Sequence, residues 1–323
     1  MTKLTLEDYR EIKLWMYRNV RQIELALWQY YFENGSKDAV LSSLSIYQND
    51  DGGFGHALEA DSWNPNSSPY TTLTAINILK GIKFTDKQHP IIQGIFKFLQ
   101  SGAYCSENGW DFNIPSNNDY AHAPWWTYKM EANAVEGIGV TAEIISFILR
   151  YANETSEIYQ KALTLSDVII NKLRISEHYG DMGIRGYCTL LDSIEQAKLT
   201  RRFDYNFLKE KLTKLVHESI ERDTAKWVRY SRRPSDYIVS PESIFYKDNE
   251  DIVLRELDYI IETRPRNGVW DITWSWFENN DKYAKEFAIS ENWWKASKAI
   301  EKVNLLKNFN RVDEQVTHCW FQT

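Results

Sequence analysis

The sequence predicts an all-α protein arranged as a double ring of five or six helix hairpins. Three observations lead there. Apolar residues recur every three or four positions through most of the chain, and alternating strand patterns are almost absent. A phrase of helix, glycine-aromatic loop, extended polar connection and helix recurs, marked by Phe54, Trp110 and Trp270. Helix pairs cannot bury their apolar faces alone, so they must stack or close on one another. Closure is the economical arrangement, and an open solenoid is the structural alternative.

The spacing of Ile12, Trp15, Met16, Val20, Ile23, Leu27 and Tyr30 predicts one helix from Leu4 to Phe32, stopped at Asn34-Gly35. A second starts at Ser36 and carries Val40, Leu41, Leu44 and Tyr47. Asp50-Asp51-Gly52-Gly53-Phe54-Gly55 breaks it, because glycine there admits positive φ and close backbone approach. After a polar loop, Pro69 suits a first helical turn and Thr71–Leu79 continues it. Another helix runs from His89-Pro90 through Leu99 to a loop at Ser106–Phe112. Helix-rich stretches follow at Trp126–Tyr151 and Glu154–Leu173, then a punctuation point at Tyr179–Gly183. Helical patterns resume from Tyr187 and over Tyr205–Glu221. Trp227–Pro241 (227–241) reads as an irregular insertion in a single domain spanning 1–323. Asn249–Glu262 and Trp293–Leu306 are the last helices expected, followed by a short tail.

With 323 residues, 43% of them hydrophobic, the chain can build a core without metal or disulfide. A net charge of −7 argues against a general nucleic-acid binder. Three cysteines do not make a disulfide scaffold, so a reducing, cytoplasmic setting is expected. No leader opens the sequence and no uncharged apolar run approaches the ~20 residues of a membrane span, so no integral membrane segment is expected. Aromatic residues reach 14%, with 13 tryptophans, more than an ordinary core demands.

Asp51-Gly52-Gly53-Phe54-Gly55 followed by Ser68-Pro69-Tyr70-Thr71-Thr72-Leu73-Thr74-Ala75-Ile76 resembles the repeat shared by protein prenyltransferase beta subunits and squalene-type triterpene cyclases. Gln48 resembles the glutamine of the cyclase repeats, and Asn108-Gly109-Trp110 and Asn267-Gly268-Val269-Trp270 look like further copies. The resemblance implies an α/α toroid whose central cavity takes a small-molecule ligand, an isoprenoid in characterised relatives. The DxDD and DDxxD signatures are absent. Asp181, Cys188 and His318 lack the D-x-C spacing of the prenyltransferase zinc set. The fold and cavity therefore carry over, with no metal site or cofactor predicted.

Candidate chemistry falls in four groups. His56, Glu59 and Asp61, with Trp63 behind, offer acid–base chemistry, or else they cap helices and tie down a loop. Asp111 and His122 are further acid–base candidates beside Trp125 and Trp126, rings that would stabilise a carbocation, stack on a sugar, or wedge between helices. Arg185 and Tyr187 suit a carboxylate or phosphate, unless Arg185 pairs with Asp181. Asp271, Trp274 and Trp276 form the last group. Cys105, Cys188 and Cys319 read as inert thiols. The basic stretch Arg229–Pro234 offers donors to a phosphate or is a solvated loop.

Three functions fit. One is an isoprenoid enzyme with Asp61 or Glu59 as proton donor. Another is a carbohydrate-active toroid, a glycoside hydrolase or polysaccharide lyase, using carboxylates from different repeats. The third is a non-catalytic binding or scaffold protein.

Overall fold

A computed structural model describes residues 2–319, with side chains through Val316, so the side chains of His318 and Cys319 lie outside the described residues. Twelve α-helices and one minimal β-hairpin account for its regular structure among those residues, alongside short 3-10 turns. The chain is all-α, as its periodicity requires.

Two compact units emerge: Met1–Leu44 with Val216–Thr323, and Ser45–Leu215. In the first, the single N-terminal helix expected from periodicity is two, α1 (Leu6–Asn19) and α2 (Gln22–Phe32). Val20 and Arg21 are extended, at φ −109° and −71°. The bend lets α2 return against α1: Tyr9 stacks on Trp28 at 5.5 Å and donates to the Phe32 carbonyl at 3.2 Å. Apolar spacing runs in phase across the bend, so periodicity alone could not reveal it. Thr5 and Asp8 close a capping box at the start of α1.

The short α3 (Lys37–Ser45) starts where the Ser36 hydroxyl accepts the Ala39 amide at 3.1 Å. Later in the chain come α10 (Glu250–Glu262), α11 (Ala284–Asn308) and α12 (Glu314–Cys319). α11 packs against α1, α2 and α10. It begins nine residues before the Trp293 expected from sequence, and α12 stands where a tail was expected. The first turns of α11 are polar and weakly periodic, which hides them. Residues 227–241 carry short 3-10 turns and are anchored to the unit. Trp227 is fully buried and donates to the Glu221 carbonyl at 2.8 Å, with Arg233 stacked over its ring.

The second unit holds α4 (Pro69–Gly81), α5 (Pro90–Gln100), a hairpin of β1 (Cys105–Ser106) and β2 (Gly109–Trp110), α6 (Asn133–Tyr151), α7 (Glu157–Ile175), α8 (Gly183–Gln196) and most of α9 (Tyr205–Ser219). Pro69 occupies the first turn of α4, capped by Ser68. Every second helix is a neighbour: α4 lies beside α6 and α6 beside α8, with α7 packed on α6. The α6–α8 contact is close because two glycines meet. A Cβ on Gly186 would stand 2.8 Å from the Gly139 backbone, and one on Gly139 would meet Met182 at 2.7 Å. With its preceding turn, α6 (Met130–Tyr151) is long and apolar enough to cross a membrane, but 72% of its most apolar window is buried in protein.

Candidate functional site

Two of the glycine-aromatic loops are anchored by one repeated bond. The Phe54 amide donates to the Thr72 hydroxyl on α4 at 3.1 Å, and the Trp110 amide donates to the Thr141 hydroxyl on α6 at 2.9 Å. Each bond satisfies a buried amide and fixes an aromatic side chain against its helix. Gly52 has φ +91°, and a Cβ there would overlap the Gly94 carbonyl oxygen at 2.0 Å. The Gln48 amide donates to the carbonyls of Gly52 and Ile91 at 2.9 and 3.1 Å, tying the loop to α5.

The first predicted group separates. His56 is exposed at φ +57°, its Nε2 2.7 Å from Asn49 Oδ1. Glu59 and Asp61 are buried, and Glu59 accepts the Asp61 amide at 3.3 Å. Ser62 pairs with His122 in an antiparallel bridge, flanked by the bonds Trp63 N–H to Ala121 and Ala123 N–H to Asp61. The chain therefore joins the first two predicted groups through their backbones.

His122 is a buried tie. Its Nδ1 donates to the Tyr120 carbonyl, which can only accept, at 2.7 Å, and its Nε2 lies 3.1 Å from the Thr127 hydroxyl. Asp111 is half-buried, and burial pushes its carboxyl above the ordinary range. Trp63 is half-buried and Trp125 exposed. Trp126 is buried and stacks on Phe112 at 4.7 Å, while Tyr70 meets the same indole edge-on at 4.4 Å.

Arg185, on α8, reaches Glu143 on α6 with Nε 3.4 Å from Oε1. The contact is an ion pair without hydrogen-bond geometry, so the buried Oε1 receives charge but no donated proton. Tyr187 does not face this pair: it is fully buried and donates to the Ile169 carbonyl at 2.6 Å. The fourth group belongs to the other unit. Asp271 pairs with Lys295 at 2.9 Å, Trp274 meets Trp294 edge-on at 5.2 Å, and Trp276 is fully buried against Tyr283 and Phe287.

Electrostatics gather a set that the sequence reading missed. Burial raises the Tyr70 phenol well above its ordinary range, Glu59 and Glu143 raise it further, and Arg185 opposes them. Burial lowers the Lys80 ammonium, against Glu143 and Asp192, and burial raises Asp192, against Lys80. Tyr70 on α4, Glu143 on α6 and Arg185 on α8 thus lie within electrostatic reach of one another, while Lys80, ten residues along α4 from Tyr70, couples with Asp192 at an exposed position. Glu143 had a legible signal, as the single charge inside the apolar run Gly137–Leu149. Tyr70 had none beyond its place at a helix start.

Cys188 is half-buried beside Asp192, and desolvation and that charge both raise its thiol, so it stays protonated. Among the described residues no group of three or more His, Cys, Asp or Glu side chains is placed to hold a metal ion. No protein-family model, curated protein or solved structure matches the chain.

Proposed function

We propose that the Ser45–Leu215 unit binds a carbohydrate at the Tyr70–Glu143–Arg185 face and hydrolyses a glycosidic bond there. The reading rests on two buried carboxyl groups from different elements, Glu59 before α4 and Glu143 in α6, both within electrostatic reach of the Tyr70 phenol. A pair of carboxyl groups from separate elements is what glycosidic hydrolysis requires, one as acid and one as base or nucleophile. In this reading Glu143, beside the Arg185 guanidinium, takes the base or nucleophile role and Glu59 the proton-donor role.

Tyr70 and Phe112, both half-buried, supply ring surface for the apolar side of a sugar, backed by the buried Trp126. Arg185 supplies donors for its hydroxyls. The same charges disfavour the isoprenoid reading, because a carbocation needs surroundings that exclude polar nucleophiles. His122 orders the loop through bonds at both ring nitrogens. Helix hairpins stacked in chain order are the repeating unit of an α/α toroid, and the proposal keeps that expectation.

The test is a panel of oligosaccharides, read by release of reducing ends, beside farnesyl and geranylgeranyl diphosphate read by calorimetry. Glycan cleavage abolished in Glu143→Gln and Glu59→Gln, with unchanged circular dichroism, is the expected result. Prenyl diphosphate binding without glycan turnover would overturn it. Glycan binding without cleavage would reduce the site to a lectin-like one and sink the hydrolytic part.

A further inference from the structure

Lys302 lies in the other unit, on α11, over the Trp270 indole at 5.0 Å from the ring centre. Trp270 is itself docked on α10, donating to the Ile260 carbonyl at 2.8 Å. Among the described residues no oxygen hydrogen-bonds or ion-pairs with the Lys302 ammonium. The two carboxylates nearest in charge are engaged elsewhere. Glu301 holds Lys298 at 2.7 Å. Glu256 is buried, with its two oxygens accepting the Ser235 hydroxyl and amide at 2.7 and 2.8 Å.

The remaining neighbours are cations and donors. Arg233, stacked over Tyr259 at 5.1 Å, and Lys298, one helical turn before Lys302, both repel its charge. Trp294, a turn earlier on the same helix face, holds a buried indole N–H with no acceptor. Lys298 lies over that indole at 5.6 Å. Donors crowd here and acceptors are spent, an arrangement that folding alone leaves unfavourable and an anion would relieve.

We propose that Arg233, Lys298 and Lys302 form an oxyanion-binding site beside Trp270, taking a phosphate or sulfate group. Two cations on one helix face and a guanidinium from the insertion approach such a group from different elements, and the indole offers a flat wall for whatever carries it. The site lies in a different unit from the proposed glycan site and stands whether or not glycan hydrolysis does.

Sulfate is the first probe, because its charge does not change across the range used. Calorimetry on the full chain at pH 6 should show binding that weakens as pH rises. Burial brings Lys302 down to about 7, so above that pH affinity falls by up to about tenfold per pH unit. Glu256, pushed up to about 7 by burial, ionises in the same window, and Glu256→Gln separates its share. Lys302→Met should weaken sulfate about tenfold or more, whereas Lys302→Arg should bind and keep only the pH dependence that Glu256→Gln removes. Inorganic phosphate and glucose 6-phosphate distinguish the sources. Equal affinity for both assigns a free ion, and tighter binding of the ester that Trp270→Leu removes assigns a phosphorylated sugar. No binding of any of the three probes, or binding unchanged in both Lys302→Met and Arg233→Met, overturns the proposal.

Discussion

The Trp110 amide donates to the hydroxyl of Thr141, 31 residues along the chain, and Phe54 makes the same bond to Thr72. The bond turns two loops of different length into equivalent parts of one repeat. Thr141→Val keeps the shape and removes the acceptor, stranding a buried N–H at about 1–3 kcal/mol. Urea unfolding should show that loss, and Thr72→Val a similar one. A Thr141→Val protein as stable as the parent would mean the bond is incidental.

The α6–α8 packing predicts that Gly186→Ala is poorly tolerated. The added methyl would meet helix backbone, which cannot rotate away, and overpacking of this kind costs about 1–3 kcal/mol. Gly268, with nothing near its added Cβ, is the control, and Gly268→Ala should leave the thermal midpoint almost unchanged.

The Glu143–Arg185 pair should respond asymmetrically. Arg185→Met leaves a buried carboxylate uncompensated, whereas Glu143→Gln removes the charge that needed compensation. Because the Arg185 side chain is 49% exposed, the loss in Arg185→Met is about 1–3 kcal/mol rather than the full cost of a buried pair. Adding Glu143→Gln to Arg185→Met should recover part of it in denaturant titrations. A double variant that is less stable still would remove the argument.

Glu256 and Lys302 predict opposite pH slopes. Glu256 sits at about 7 in the folded chain and near its ordinary value of 4.5 when unfolded, so the folded state holds the extra proton between those values. Its contribution is full below 4.5 and lost as pH rises through 7. Lys302, at about 7 folded against 10.5, costs stability at neutral pH that is recovered as pH rises above 7. The two together give a minimum near pH 7. Glu256→Gln should flatten the acid side of that minimum and Lys302→Met the alkaline side, measured by urea midpoints at pH 5, 7 and 9. Identical profiles in all three proteins would count against both shifts.

Half-buried, desolvated thiols predict slow alkylation. Desolvation raises Cys105 and Cys188, so in a Cys319→Ser background iodoacetamide at pH 7 should label neither appreciably before unfolding.

By itself the sequence determined the helices and the loops that interrupt them. Apolar spacing, Pro69 at a first turn and the glycine run at Gly52-Gly53 act within a few residues, where local sterics decide. It also marked Glu59, Asp61 and Arg185 as groups of interest. Tertiary structure decided the bend at Val20-Arg21, the burial of Tyr187 and Trp276, and the separation of His56 from Glu59. It alone brought Tyr70 and Glu143 together, because residues 73 positions apart share an electrostatic environment only once α4 and α6 lie side by side. Periodicity reports which side of a helix is apolar; it carries no information about which other helix that side will meet.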